Sequence, residues 1–326
     1  MKNYIGNSLQ VRGVMRYVLQ GGRGDGMHFV NVRNGLGLDV MISQDRCADL
    51  AQVTFKGDNM GFLSACGYVA PQYYDPVGAG FLKSFSGGFF TTCGLTAVGS
   101  PCVDDGEELP LHGTISNTPA QLDAVLEDEE GVKLMFTVCD SGIFARKLVL
   151  KREYYFSYKE NFVSVSDEVI NEGDTESPFM ILYHCNMGYP LLDEDSVISI
   201  PNNSVTPRNE HAKENIVDAL SPQKPEAGYE ECCFYYDVKD TDGKAAVSIY
   251  NPKIERGVQI SYNKEELPFF TQWKMMGKKD YVMGLEPGNC SPDGRDVMRK
   301  EGKLRFIAPG ESAKCGVRFD FTTKEI

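Results

Sequence analysis

An all-β fold, a large antiparallel β-sandwich with a concave ligand cleft, is what this 326-residue chain predicts. Three observations point to it. Apolar and polar residues alternate with period two in short runs, Gly, Asn, Asp and Pro break those runs, and helical spacing is weak throughout. Strands that follow one another without intervening helices pack as antiparallel sheets face to face, not as βαβ units.

In chain order, the helical spacing at 9–19 predicts a short helix. Strands are then expected at 132–139, 147–155, 162–169 and 179–184. A second short helix is expected at 209–220, followed by strands at 245–250, 257–262, 269–275, 281–285, 303–307 and 315–321. Turn signals separate them: Asn171-Glu172-Gly173-Asp174, Asp242-Gly243, Pro292-Asp293-Gly294 and Pro309-Gly310. No linker, low-complexity segment or fixed-period repeat divides the chain, so one continuous domain over residues 1–326 is expected.

Composition narrows the function classes. Hydrophobic residues make up 42% of the chain and charged residues 24%, as in an ordinary soluble protein. No run of about 18 apolar residues could span a membrane, and the N-terminal residues lack the apolar core of a signal peptide. A cytoplasmic protein with reduced thiols is therefore expected; the ten cysteines contain no C-x-x-C, and Cys232-Cys233 is a vicinal pair. A net charge of −13 repels phosphate backbones and anionic lipid, which argues against nucleic-acid and membrane partners.

Two of only four histidines sit in segments that read as strand end or turn, Leu111-His112-Gly113 and Tyr183-His184-Cys185-Asn186. A third segment, Gly284-Leu285-Glu286-Pro287-Gly288, ends an apolar run on a carboxylate pinned by a Pro-Gly turn. Two imidazoles and a partly desolvated carboxylate can move protons on a neutral, polyhydroxylated ligand near neutral pH. Burial lowers the pKa of His184 and a neighbouring carboxylate raises it, so it is expected to be poised near neutrality; burial raises that of Glu286. Opening and reclosing a sugar ring needs this set. Taken singly, each residue also fits a bland role: a turn histidine, a hydrogen-bonded core histidine, a rim glutamate.

Candidate ligand contacts surround these three. Asn117 and Asn186 lie in the histidine segments, and Arg46 and Lys83 are isolated cations in apolar context. On the strand at 269–275, alternation puts Phe270, Gln272, Lys274 and Met276 on one face and Thr271, Trp273 and Met275 on the other. Gln272 and Lys274 suggest that theirs is the ligand-facing side. Convergence of Arg46, Lys83, Arg208 and Lys274 would indicate a carboxylated, phosphorylated or sulfonated sugar. No pair of histidines has metal-ligand spacing, so no metal is expected. The glycine run at 21–26 lacks the ending of a phosphate loop and reads as a turn.

In order and wording these segments resemble the aldose 1-epimerase (galactose mutarotase-like) superfamily over nearly the whole chain. Leu111-His112-Gly113 is similar to its L-H-G segment, Tyr183-His184-Cys185-Asn186 to its second histidine segment, and Leu285-Glu286-Pro287 to its late L-E segment. Pro309-Gly310-Glu311 is similar to its closing hairpin. The longer segments Thr91-Thr92-Cys93-Gly94-Leu95, 111–120 and Trp273-Lys274-Met275-Met276-Gly277 resemble a branch of that superfamily described as a domain of unknown function.

The resemblance implies a supersandwich fold and an isomerase that needs no cofactor. Glu286 would take the anomeric proton, His184 would protonate the ring oxygen, and His112 would position the ring. The chain departs from the pattern at Gly228-Tyr229-Glu230-Glu231, where that superfamily has G-[FY]-D-H; either glutamate can substitute, and Glu231 is favoured. The early N-R pair is also missing, with Lys83 the nearest replacement. The sugar itself stays open. Two alternatives stand beside mutarotation: isomerisation or epimerisation at another carbon, and a non-catalytic sugar-binding module.

Overall fold

The computed structural model describes residues 3–326. Its strands form three principal antiparallel sheets. The largest has nine strands. Eight run in the order Ala120–Glu127, Gly131–Ser141, Lys147–Ser157, Phe162–Asn171, Ser312–Thr322, Arg256–Asn263, Lys244–Asn251 and Val197–Ser199; Asp240–Thr241 pairs beside Lys244–Asn251. The second sheet runs Asn202–Pro207, Cys232–Val238, Phe269–Gly277, Asp280–Gly288, Ser177–Gly188 and Arg305–Ile307, with Phe90–Leu95 also pairing on Ser177–Gly188. A five-stranded sheet is formed from the first part of the chain, Gly13–Val18 to Asp58–Asn59.

Each of the ten expected strands is present, most extended by a residue or more at their ends. The helix expected at 9–19 is absent: Ser8–Gln10 forms one 3-10 turn capped by Asn7, and Gly13–Val18 is a strand. Gly13 has φ +137°, which a helix cannot accommodate. The one at 209–220 forms as Glu210–Glu214 plus a 3-10 turn at Ile216–Asp218, with Asn209 accepting the Ala212 N–H as N-cap.

The two large sheets enclose one apolar cluster to which both contribute, for example Leu134, Leu150, Val165 and Phe319 from one and Ile181, Tyr183, Phe234 and Leu285 from the other. Phe89 and Phe90 pack on Phe319 at ring separations of 5.0 and 6.0 Å. Arg152 ties three sheets together. Fully buried, it donates to both carboxylate oxygens of Asp167, to Asp49, to Thr92 and to the Cys47 carbonyl, all at 2.7–3.0 Å. Tyr183 adds its hydroxyl to Asp167 at 2.8 Å.

The strand Ser177–Gly188 is buried along its whole length on both faces, which explains its near-continuous apolar sequence. Ile181, Tyr183 and Cys185 point into the inter-sheet cluster. Period two therefore turns Met180, Leu182, His184 and Asn186 to the outer face. There Met180 and Leu182 pack with Cys93, Val98, Cys290 and Met298, while His184 opens onto a pocket.

Candidate active site

A pocket lies on the outer face of the second sheet. His112, His184, Glu286, Arg208 and Glu231 line it, with Phe81, Phe85, Thr271 and Trp273 as its broad walls. Sheet register builds the centre. Leu182 faces Gly288 and Asn186 faces Gly284, so His184 stands across from Glu286. Glu286 in turn faces Thr271, and Gly284 faces Trp273.

His184 Nδ1 lies 2.7 Å from Asn186 Oδ1 and 3.2 Å from Glu286 Oε1. Asn186 spends its amide N–H groups on the carbonyls of His184 and Gly87. Its oxygen therefore accepts the Nδ1–H, which leaves Nε2 of the neutral ring as a bare acceptor. His112 has the opposite tautomer. The Gly99 N–H donates to His112 Nδ1 at 3.3 Å, so the neutral ring carries its proton on Nε2. The two imidazoles meet edge to face at 5.4 Å, and Phe81 and Phe85 pack against them. The pocket thus contains one imidazole that donates and one that accepts.

Burial sets the charge states. It lowers His184 to about 4 and His112 to about 3, His112 further disfavoured as a cation by His184 and Arg208. Neither is poised near neutrality, which corrects the sequence expectation for His184: no carboxylate charge offsets the desolvation. Burial, then the Glu231 charge, pushes Glu286 well above the usual carboxylate range. Glu286 is 2% exposed and its Oε1 has no hydrogen-bond donor, because the nearby Nδ1–H is aimed at Asn186. A buried acceptor without a donor is costly unless a ligand supplies one.

Glycines shape the approach. A Cβ on Gly284 would sit on Glu286 Oε1, and one on Gly113 would strike the carbonyls of Gly94 and Ala97. His112 itself has φ +60°, so the turn holds both residues in the left-handed region. Gly284→Ala is expected to displace the Glu286 carboxyl by about an ångström. If that carboxyl reacts, turnover should fall by about 10²-fold, with the unfolding temperature as control for the fold.

The remaining candidates separate into two groups. Asn186 orients His184 from the sheet side, and Arg208 and Glu231 stand at the rim. Glu231 accepts the Trp273 indole N–H at 2.6 Å, whereas Glu230 offers only its backbone carbonyl, to His211. Arg46, Lys83, Asn117, Gln272 and Lys274 are not part of the pocket wall. Arg46 is buried and donates to the Val69 and Ser84 carbonyls, burial lowering it to about 10. Lys83 is exposed and paired with Asp75 at 2.7 Å. Asn117 is buried in a 3-10 turn, donating to Ser116.

The ligand-facing side of strand Phe269–Gly277 is the reverse of the one expected. Gln272 and Lys274 point inward with Phe270 and Met276, satisfied by the carbonyls of Ala219, Asp218 and Ser221. Thr271 and Trp273, given no ligand role by the sequence reading, form the wall. The pairing of Thr271 with Glu286 is the signal that would have chosen the face. The four cations accordingly do not converge; Arg208 alone among them reaches the pocket.

Three comparisons bear on this geometry. A family described as Domain of unknown function (DUF4432) matches residues 24–321. No curated protein matches the chain. Among solved structures, a "putative aldose 1-epimerase" from Klebsiella pneumoniae superposes with a TM-score of 0.90 at 26% identity, covering 97% of this chain and 86% of that one. A galactose mutarotase-like protein from Clostridium acetobutylicum gives 0.70 at 12% identity, over 96% and 99% of the two chains. Galactose 1-epimerase from Lactobacillus acidophilus gives 0.61 at 14%, over 95% and 98%. No helix among the described residues is long and apolar enough to cross a membrane.

Proposed function

The chain belongs to the DUF4432 family within the aldose 1-epimerase (galactose mutarotase-like) superfamily, and from that premise we propose that it is a mutarotase, interconverting the α and β anomers of a sugar. The observation that carries the reading is the donorless, buried Oε1 of Glu286, 3.2 Å from His184 Nδ1 and in one pocket with the donor imidazole of His112. An anomeric hydroxyl is the donor that this oxygen lacks.

Glu286 and His184 act as a pair that holds one proton. With the proton on His184, Glu286 takes the anomeric proton while His184 protonates the ring oxygen, and the C1–O5 bond breaks. The open aldehyde rotates about C1–C2. The pair now has its proton on Glu286, the arrangement that burial favours in the empty pocket. Ring closure on the other face runs the transfers backwards: Glu286 protonates the carbonyl oxygen and His184 accepts the proton of the attacking hydroxyl. His112 donates its Nε2–H to the ring oxygen and holds the ring. Protons balance over the cycle.

The alternatives make separate demands. Isomerisation or epimerisation at another carbon would need a base at a C–H bond, and solvent deuterium would enter the sugar. A sugar-binding module would give the same Oε1 a hydroxyl donor without transferring its proton, so it would hold sugars without accelerating anomer exchange.

A bell-shaped pH dependence of anomer exchange is the expected outcome. The one-proton state is lost on the acid side when His184 takes a second proton, near pH 4, and on the alkaline side when Glu286 gives up its proton, well above the usual carboxylate range. Rates measured from pH 3.5 to 10 check it; a rate that only rises or only falls across that range counts against the pair.

A further inference from the structure

The rim of the pocket points to an acidic sugar. Arg208 and His112 are held by two consecutive residues: the Gly99 N–H binds His112 Nδ1, and Ser100 Oγ accepts from Arg208 Nη2 at 2.8 Å. The guanidinium is thereby fixed beside the imidazole that donates into the pocket. Its Nη1 leans on Cys233 Sγ at 4.0 Å and its Nε on Asp293 at 3.3 Å. One N–H on each terminal nitrogen has no acceptor among the described residues, and the side chain is 30% exposed.

Ring chemistry says what would meet it. A ring oxygen has two carbon neighbours, the anomeric C1 and, in a hexopyranose, C5. If Glu286 meets the C1 hydroxyl and the imidazoles meet the ring oxygen, the substituent on C5 projects past His112 towards the Gly99-Ser100 turn. We infer that the site takes a sugar with a carboxylate on C5, a hexuronate, whose acidic group is bound by Arg208. This rests on the mutarotase reading for the orientation of the ring. The charge balance selects a single negative charge: Asp293 already offsets part of the guanidinium, and the Glu231 carboxylate on the same rim repels a dianion such as a phosphate ester. A planar carboxylate also suits a planar guanidinium fork.

Methyl glycosides, which cannot open, separate recognition from turnover. Calorimetry at low ionic strength, where rim charges are least screened, would compare methyl glucuronide and methyl galacturonide with the corresponding neutral methyl glycosides and with methyl glucoside 6-phosphate. The expected result is at least one uronide bound about tenfold or more tighter than its neutral partner and than the phosphate. Arg208→Met removes that difference, while Arg208→Lys, which keeps the charge, retains part of it. Equal affinities for acidic and neutral glycosides, no uronide binding, or a preference that survives Arg208→Met in a folded variant overturns the inference. None of these outcomes touches the mutarotase reading, which stands or falls on anomer exchange by free sugars of any charge.

Discussion

Replacing Glu286 with Gln is expected to lower enzyme-accelerated anomer exchange by about 10²–10⁴-fold, the usual contribution of one positioned acid–base group. That range corresponds to about 3–5 kcal/mol of barrier. Gln fills the same space between Thr271 and His184, so the wall of the pocket is preserved and methyl glycosides should still bind. What is lost is the capacity to take and return a proton. The Gln amide cannot share a proton with His184, so the alkaline limb assigned to Glu286 should also disappear from any residual activity. Exchange rates by NMR together with calorimetric binding check both parts. Wild-type exchange by the variant would remove Glu286 from the chemistry.

The largest effect on stability is expected at Arg152, which does not line the pocket. Arg152→Leu would leave the carboxylates of Asp49 and Asp167, both buried, without their cation. Breaking a buried pair in this way costs about 3–5 kcal/mol, a large part of the 5–15 kcal/mol that holds a typical domain together. Burial already pushes Asp49 upward with Arg152 present, so its carboxyl would rise further without the cation. The sign follows from linkage: a carboxyl raised in the folded state binds protons more readily folded than unfolded, so the deficit shrinks as pH falls. Urea unfolding at pH 7.5 and pH 5 checks this, with a smaller difference from wild type expected at pH 5. Equal unfolding midpoints at pH 7.5 would mean that the network contributes little. Tyr183 connects the same cluster to the strand that carries His184, so loss of Arg152 should loosen the site as well.

Much of the architecture was legible in the sequence, because half-buried antiparallel strands alternate visibly. The strands at 132–139 and 162–169 face a core on one side and water on the other, and their pattern says so. The strands of the first sheet were harder to read. Residues 9–19 mix apolar and polar positions without clean alternation, and the exposed, twisted edge Gly13–Val18 imitates a weak helix. The strand Cys232–Val238 was also missed, being apolar on both faces for most of its length.

At the site, the residues that end apolar strands or occupy strained turns were visible. His112, His184 and Glu286 stand out in their local context; register sets His184 across from Glu286, and the 111–113 turn brings His112 to the same pocket. The choice of face on Phe269–Gly277 failed because polarity was equated with solvent. Gln272 and Lys274 are inward-facing polar residues whose partners are carbonyls of the 216–221 segment, some fifty residues away in sequence. Asn186 reads as a ligand contact from sequence but is spent on His184, a distinction that only the direction of its amide reveals. Arg208 is one of the four cations singled out from the sequence, and what sets it apart from the other three, its place beside His112, comes from the Gly99-Ser100 turn.

The most direct test is saturation-transfer NMR of anomer exchange in D₂O, with free hexuronates and neutral aldoses as substrates. Faster exchange between α and β signals with wild-type protein, with every C–H signal retained, is the predicted result. No acceleration for any of these sugars while methyl glycosides still bind, or acceleration accompanied by loss of a ring C–H signal to deuterium, would contradict it.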